Sequence, residues 1–201
     1  MVEQLTNGTH WEIMVDRELH WKVWSSELVA DCKVFTVHKN VSSPPEGDDK
    51  HDFYVLKPNN WVNVIPVTGD SEVILIEQYR HGIDHVTLEI PGGTIDASET
   101  SSSEAGRREL LEETGYEAEE MIFLGRNHPN PAIQDNYCDT YLATNCKKVS
   151  EPRFDGTEDI ELQIVTLEDI PELIESGTIT HALVIVAFYY LGLFLPKSNV
   201  Y

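Results

Sequence analysis

The sequence predicts an α/β fold, an α/β/α sandwich preceded by a small antiparallel β-domain. Three observations carry that expectation. Short segments alternating apolar and polar residues fill residues 11–57; strands and helices share the remainder; and the mid-chain and final helices are marked at the sequence level by capping residues and apolar runs. A chain of 201 residues can bury one good core with a small appended unit. The expected division is residues 1–57 for the β-domain and 58–201 for the sandwich.

In chain order, alternation predicts strands over Glu12–Val15, Trp21–Leu28 and Asp31–His38. A loop rich in Ser, Pro, Gly and Asp (Ser42–Asp49) separates these from a strand over Asp52–Leu56. Trp61–Val67 and Glu72–Gln78 follow as a hairpin joined at Thr68–Ser71. Ser101 is placed to cap a helix over Ser102–Thr114, with Glu104 as the reciprocal capping-box partner and Gly115 as the left-handed residue past its end. Leu110 and Leu111 are expected on its buried face, away from Glu109 and Glu113. Strands near Ile122–Arg126, Cys138–Ala143 and Ile160–Val165 come next, then a short helix over Leu167–Glu175 closed by Gly177, and a last helix over Thr180–Leu195. That final run is too short for a membrane span, which needs about 20 apolar residues.

A formal charge of -21, with 35 acidic against 14 basic residues, excludes a phosphate-backbone partner, since nucleic-acid binding requires a basic footprint. It leaves room for a small phosphorylated substrate, because bound cations invert the local field. Cys32, Cys138 and Cys146 lack metal-ligand spacing and read as buried thiols in a reducing compartment. The N-terminus is polar and has no apolar signal core, so the expected location is cytoplasmic.

The densest chemistry lies between Gly93 and Gly115, where Glu99, Glu104, Glu109, Glu112 and Glu113 accompany Arg108. Residues three and four apart are neighbours on a helix, so Glu109, Glu112 and Glu113 share one side and repel by a few tenths of a kcal/mol per pair. Arg108 lies four residues before Glu112 and can hold it by a fork-shaped ion pair. Oxygen-only ligands favour Mg²⁺, or Mn²⁺, over zinc. A solvated acidic helix is the bland alternative.

The segment resembles the signature of the Nudix hydrolases, Gly-x5-Glu-x7-Arg-Glu-apolar-x-Glu-Glu-x-Gly-apolar. Gly93, Glu99, Arg108, Glu109, Leu110, Glu112, Glu113, Gly115 and Tyr116 fill its positions. One departure stands out: eight residues, not seven, separate Glu99 from Arg108. The extra residue is expected within Thr100–Ser103, ahead of the helix, so that Ser102 is dispensable and only the position of Glu99 is in question. Trp61–Thr68, Glu77–Gly82 and Leu88–Gly93 look like the ADP-ribose pyrophosphatase branch of that family, and the similarity runs from about Trp21 to Phe194.

The resemblance implies the Nudix fold, an N-terminal β-domain commonly exchanged across a homodimer, a nucleotide-sugar substrate, and Mg²⁺-dependent cleavage of ADP-ribose to AMP and ribose 5-phosphate. It implies that Glu109, Glu113 and the Gly92 carbonyl meet cations, and that Glu112 is the remaining ligand or a carboxylate that positions water. It further implies that Glu158, in the loop Phe154–Glu161, ligates metal or activates water, with Asp159 and Glu161 as alternatives, and that Arg80 faces the phosphates. Glu89 is expected to line the same cleft, and Trp24 to stack on a base. Asn130, Gln134 and Asn136, in the Pro- and Asn-rich loop His128–Asn136, are specificity candidates. His20, His81, His85 and His181 are read as structural or solvated. Hydrolysis of another nucleoside diphosphate sugar, or sensing of an ADP-ribose-like metabolite without cleavage, stand as the alternatives.

Overall fold

The computed structural model describes residues 19–153 and 160–195. The expected strand Glu12–Val15 and the candidates Glu158 and Asp159 lie outside them. Three strands, β1 (Lys22–Asp31), β2 (Phe35–Ser43) and β3 (His51–Pro58), form an antiparallel sheet in the order β1-β2-β3. Cys32 sits in the tight β1–β2 turn, where Cys32 N–H donates to Phe35 O at 3.0 Å. It is therefore exposed, unlike the buried Cys138 and Cys146, because a hairpin tip has nothing above it to cover a side chain.

The second sheet contains β4 (Trp61–Thr68), β5 (Glu72–Arg80), β6 (His85–Glu89), β7 (Gly92–Thr94), β8 (Tyr116–Glu117), β9 (Glu120–Asn127), β10 (Cys138–Lys148) and β11 (Ile160–Thr166). Its path runs β11-β5-β4-β10-β8, with β6 on β5, β7 on β4 and β9 on β10. The β4–β10 pair is parallel, from Cys138 opposite Trp61 to Ala143 opposite Pro66, and the remaining pairs are antiparallel. Strands β6 and β7 are absent from the sequence expectation. Both are short, and Pro91 and the Gly92-Gly93 pair interrupt the apolar pattern that would mark them.

Helices α1 (Ser102–Thr114), α2 (Ile170–Glu175, led in by a 3₁₀ turn over Leu167–Asp169) and α3 (Ala182–Phe194) complete the fold. Alternation along the strands distributes side chains to the two faces of the sheet. Val62 and Val64 on β4, Ile74 on β5 and Ala143 on β10 pack against Ala105 and Leu110 of α1. Their neighbours Ile65, Val73, Leu75 and Leu142 pack with Val184, Ala187, Phe188 and Leu191 of α3. Full burial of one such side chain contributes about 1.5–3 kcal/mol, and the two layers hold the sheet between them. This is the sandwich the sequence predicts. Among the described residues no helix is long and apolar enough to cross a membrane.

Candidate active site

Helix α1 carries the acidic cluster, and its start is set locally. The Ser101 hydroxyl accepts from Glu104 N–H at 3.2 Å, as expected of an N-cap. The reciprocal bond falls one residue earlier than a standard capping box: Glu104 Oε2 accepts from Thr100 N–H at 2.9 Å and from its hydroxyl at 2.8 Å. The helix thus starts at Ser102, within the Thr100–Ser103 stretch expected to hold the extra residue, and Gly115 ends it at φ 74°. Ser102 makes contacts that the sequence reading does not anticipate: its hydroxyl donates to the buried Asp139 at 2.6 Å and lies 2.9 Å from Tyr141 Oη, linking α1 to β10.

The buried side of α1 differs from the expectation. Ala105, Gly106, Glu109, Leu110, Glu113 and Thr114 are buried, whereas Leu111 is only half-buried. Two glutamates are drawn inward because β7 approaches them with backbone rather than side chains. Gly92 N–H donates to Glu113 Oε2 at 2.8 Å. A Cβ on Gly93 would lie 2.6 Å from Glu109 Cδ, and one on Gly92 would strike the Val62 carbonyl and lie 2.8 Å from Asn63 Cα. Neither glycine has positive φ. The pair is explained by close approach and not by a turn that needs free backbone angles.

Arg108 binds the cluster together. Its Nε donates to Glu99 Oε1 at 2.9 Å, Nη1 meets both Glu112 Oε2 and Glu109 Oε1 at 2.9 Å, and Nη2 donates to the Thr94 carbonyl at 3.0 Å. Burial opposes the charge on Arg108, but these carboxylates raise its pKa well above the ordinary value. Glu99, whose position the inserted residue puts in question, is held on its other oxygen by Asp96 N–H at 2.7 Å. Burial raises the Glu99 pKa, and the Arg108 and Asp96 bonds outweigh it, so the carboxyl stays below its usual range.

Glu99, Glu109 and Glu112 are thus gathered around one guanidinium and Glu113 is held at Gly92 N–H, an oxygen donor set with excess negative charge that suits a hard divalent cation. Among the described residues no three acidic, imidazole or thiol groups already converge on a common point. Arg108 occupies part of the carboxylate array, so holding a cation requires side-chain adjustment at Glu112, which is 47% exposed and has the freedom to turn.

Beside this cluster a cleft of about 960 Å³ opens between β4, β5, β7 and the start of α3, lined among others by Trp61, Arg80, Glu89, Gly92, Gly93 and His181. Arg80 and Glu89 form a two-bond pair, Nε to Oε1 at 2.7 Å and Nη2 to Oε2 at 2.6 Å. Thr87 donates to the same carboxylate at 2.5 Å. Glu89 is 2% exposed. Burial alone would raise its pKa, but Arg80 and Thr87 hold it below the ordinary value.

Other sequence candidates fall elsewhere. Trp24 on β1 lines a separate depression with Trp21, Lys22, Pro44 and Asp48, and the Lys22 and Lys50 ammonium groups lie 3.5 and 4.3 Å from its ring centroid. Within this chain it does not meet the cleft, because the three-stranded sheet holds it apart. Asn130, Gln134 and Asn136 also do not line the cleft. Their loop is tied to β3 by Leu56 N–H to Ile133 O at 2.8 Å, and the buried Asn136 donates to Asn59 O at 3.1 Å. Glu161 is exposed on β11 opposite Glu77.

His181, like His81, lines the cleft although its sequence position suggests only a structural or solvated role. It precedes an apolar helix in an N-cap position, which is its only local signal. Burial lowers its pKa, with opposing influences from Glu89 and Arg80.

Residues 57–187 match the family described as NUDIX domain. The chain is 30% identical over 178 residues to an ADP-ribose pyrophosphatase of Bacillus subtilis (strain 168), covering 88% of this chain and 95% of the relative. It is 32% identical over 173 residues to a methanol dehydrogenase activator of Bacillus methanolicus, covering 86% and 92%. A crystal structure of an ADP compounds hydrolase superposes with a TM-score of 0.81 at 24% identity, covering 92% of this chain and all of that one.

Proposed function

This chain belongs to the Nudix family of hydrolases, and from that premise we propose that it cleaves ADP-ribose to AMP and ribose 5-phosphate with Mg²⁺ as its working cation. The observation that carries the reading is the Arg108-braced carboxylate cluster set against the backbone of Gly92 and Gly93, beside a cleft containing the paired Arg80. Nudix hydrolases are generally dependent on divalent metal, and the all-oxygen donor set here favours Mg²⁺ with Mn²⁺ as a substitute. The similarity to an ADP-ribose pyrophosphatase over nearly all of both chains supports the substrate.

In this reading Glu109, Glu113, Glu112 and the Gly92 carbonyl hold the cations. When bound, the ions polarise the phosphate and relieve charge on the leaving group. Arg108 fixes Glu99 and Glu109, so that the adjustment needed to admit a cation is confined largely to Glu112. Arg80, held by Glu89 through Nε and Nη2 along one guanidinium edge, presents positive charge to the phosphates from a fixed direction. Glu158 would ligate metal or activate the attacking water, a role that rests on the resemblance to the ADP-ribose pyrophosphatase branch.

We also propose a homodimer. The three-stranded sheet exposes apolar side chains on both of its faces, among them Val23, Trp24, Leu28, Val29, Phe53 and Tyr54, which suits contact with a second copy, and exchange across it would bring Trp24 toward the partner's cleft. A cytoplasmic location fits the three free cysteines. Incubating the protein with ADP-ribose and Mg²⁺ and separating the products by ion-pair chromatography tests the function. AMP and ribose 5-phosphate in equal amounts support it; intact ADP-ribose contradicts it.

A further inference from the structure

The cleft wall carries polar atoms that the hydrolytic reading leaves unused. Asn63 on β4 is 7% exposed, and its Nδ2 donates to Leu183 O at 3.3 Å, which fixes the amide and turns Oδ1 away from that carbonyl. Asn63 Oδ1 is buried without a hydrogen-bond partner, as are His181 Nδ1 and Gln78 Oε1, and all three residues line the same cleft. His181 stands at the N-cap of α3, a helix of 13 residues, and makes no side-chain capping bond. Leu183 and Val184 of the first turn line the cleft beside it.

Buried polar atoms without partners are rare because each loses the hydration it had in the unfolded chain. A ligand group that satisfies this corner must donate to Asn63 Oδ1, which excludes phosphate and carboxylate groups, since they only accept. It must also suit a neutral imidazole, one nitrogen of which donates and the other accepts, and the positive end of a helix. A hydroxyl both donates and accepts. Two neighbouring hydroxyls satisfy Asn63 and His181 together, the His181 ring turning about its soft terminal torsion to meet them.

We propose that the Asn63–His181 corner is a hydroxyl subsite that reads the vicinal hydroxyls of a ribose in the substrate. It rests on the reading of the chain as an ADP-ribose pyrophosphatase and deepens it. Discrimination arises because a deoxygenated sugar leaves Asn63 Oδ1 unpaired while still displacing the surrounding water.

The test is calorimetric titration of ADP-ribose and two analogues, one lacking the 2′- and 3′-hydroxyls of the adenosine ribose and one lacking the hydroxyls of the distal ribose. Each is titrated into wild-type protein, Asn63→Leu and His181→Phe, with melting curves to verify folding and kcat/KM measured in parallel. One analogue is expected to bind wild-type protein about tenfold more weakly than ADP-ribose. That analogue names the ribose that is read, and in both variants the difference should vanish through weaker binding of ADP-ribose. Should Asn63→Leu not fold, His181→Phe decides. Equal binding of all three ligands by wild-type protein, or undiminished discrimination in the folded variants, overturns the subsite. ADP-ribose that binds with this dependence and is not cleaved overturns the proposed function and leaves the subsite standing; cleavage without the dependence does the reverse.

Discussion

Gly92 N–H donates to Glu113 Oε2 across 2.8 Å, joining the edge of β7 to the last turn of α1. The bond brings a carboxylate against bare backbone at a position where any side chain would intervene. The two glycines differ in what lies behind them, and that difference separates stability from chemistry.

Gly92→Ala would place a methyl group against the Val62 carbonyl and 2.8 Å from Asn63 Cα, backbone atoms that cannot move without disturbing β4. We expect a loss of about 1–3 kcal/mol in stability, measured by denaturant unfolding. Gly93→Ala meets instead the carboxylate end of Glu109, a flexible side chain. It should melt near the wild-type temperature and lose about tenfold or more in kcat as Glu109 is displaced.

Arg108→Lys preserves the charge but not the fork that reaches Glu99, Glu109, Glu112 and the Thr94 carbonyl. An ammonium cannot span these directions. Turnover should fall about tenfold or more, and Arg108→Ala should fall further as the carboxylates repel. A lysine variant with wild-type kcat would show that charge alone suffices.

The helix and its shared carboxylate face are legible in the sequence because caps and i, i+4 spacing are local: Ser101 and Gly115 bracket α1 at the expected residues. Whatever depends on distant segments is not. The inward turn of Glu109 and Glu113 depends on a glycine edge some twenty residues away. The Arg80–Glu89 pair depends on the β5–β6 hairpin, which the sequence pattern hides behind Pro91. His181 reaches the cleft because α3 packs over β4, a relationship that no spacing records. Trp24 carries the composition of a stacking residue, but the sheet that holds it keeps it away from this chain's cleft.

Acid should destabilise the protein in two stages. Burial depresses the His181 pKa below its ordinary 6.5, so the unfolded chain takes up that proton first and stability falls as pH drops below 6.5. Glu89 is driven up by burial but held below its ordinary 4.5 by Arg80, so its contribution is complete above 4.5 and is lost as pH falls through the lower folded value. Melting temperature measured against pH should show both stages in the wild type. His181→Asn should remove the upper one and leave the lower.

Glu158→Gln should lower kcat while KM changes little, as expected of a group that acts mainly in the transition state. Steady-state kinetics with ADP-ribose decide it; an unchanged kcat transfers the role to Asp159 or Glu161.

The most direct measurement of the account is ADP-ribose turnover by Glu113→Gln beside wild-type protein, across a range of Mg²⁺ concentrations, with both proteins shown to be folded. The amide retains the Gly92 contact through its carbonyl oxygen but loses the charge that attracts a cation. We predict turnover in the wild type that is abolished by chelator and restored by Mg²⁺. In the variant, kcat should be lower by about a hundredfold at saturating metal. Metal-independent cleavage by the wild type, or wild-type turnover by the variant, would contradict the assignment of this cluster as the catalytic metal site.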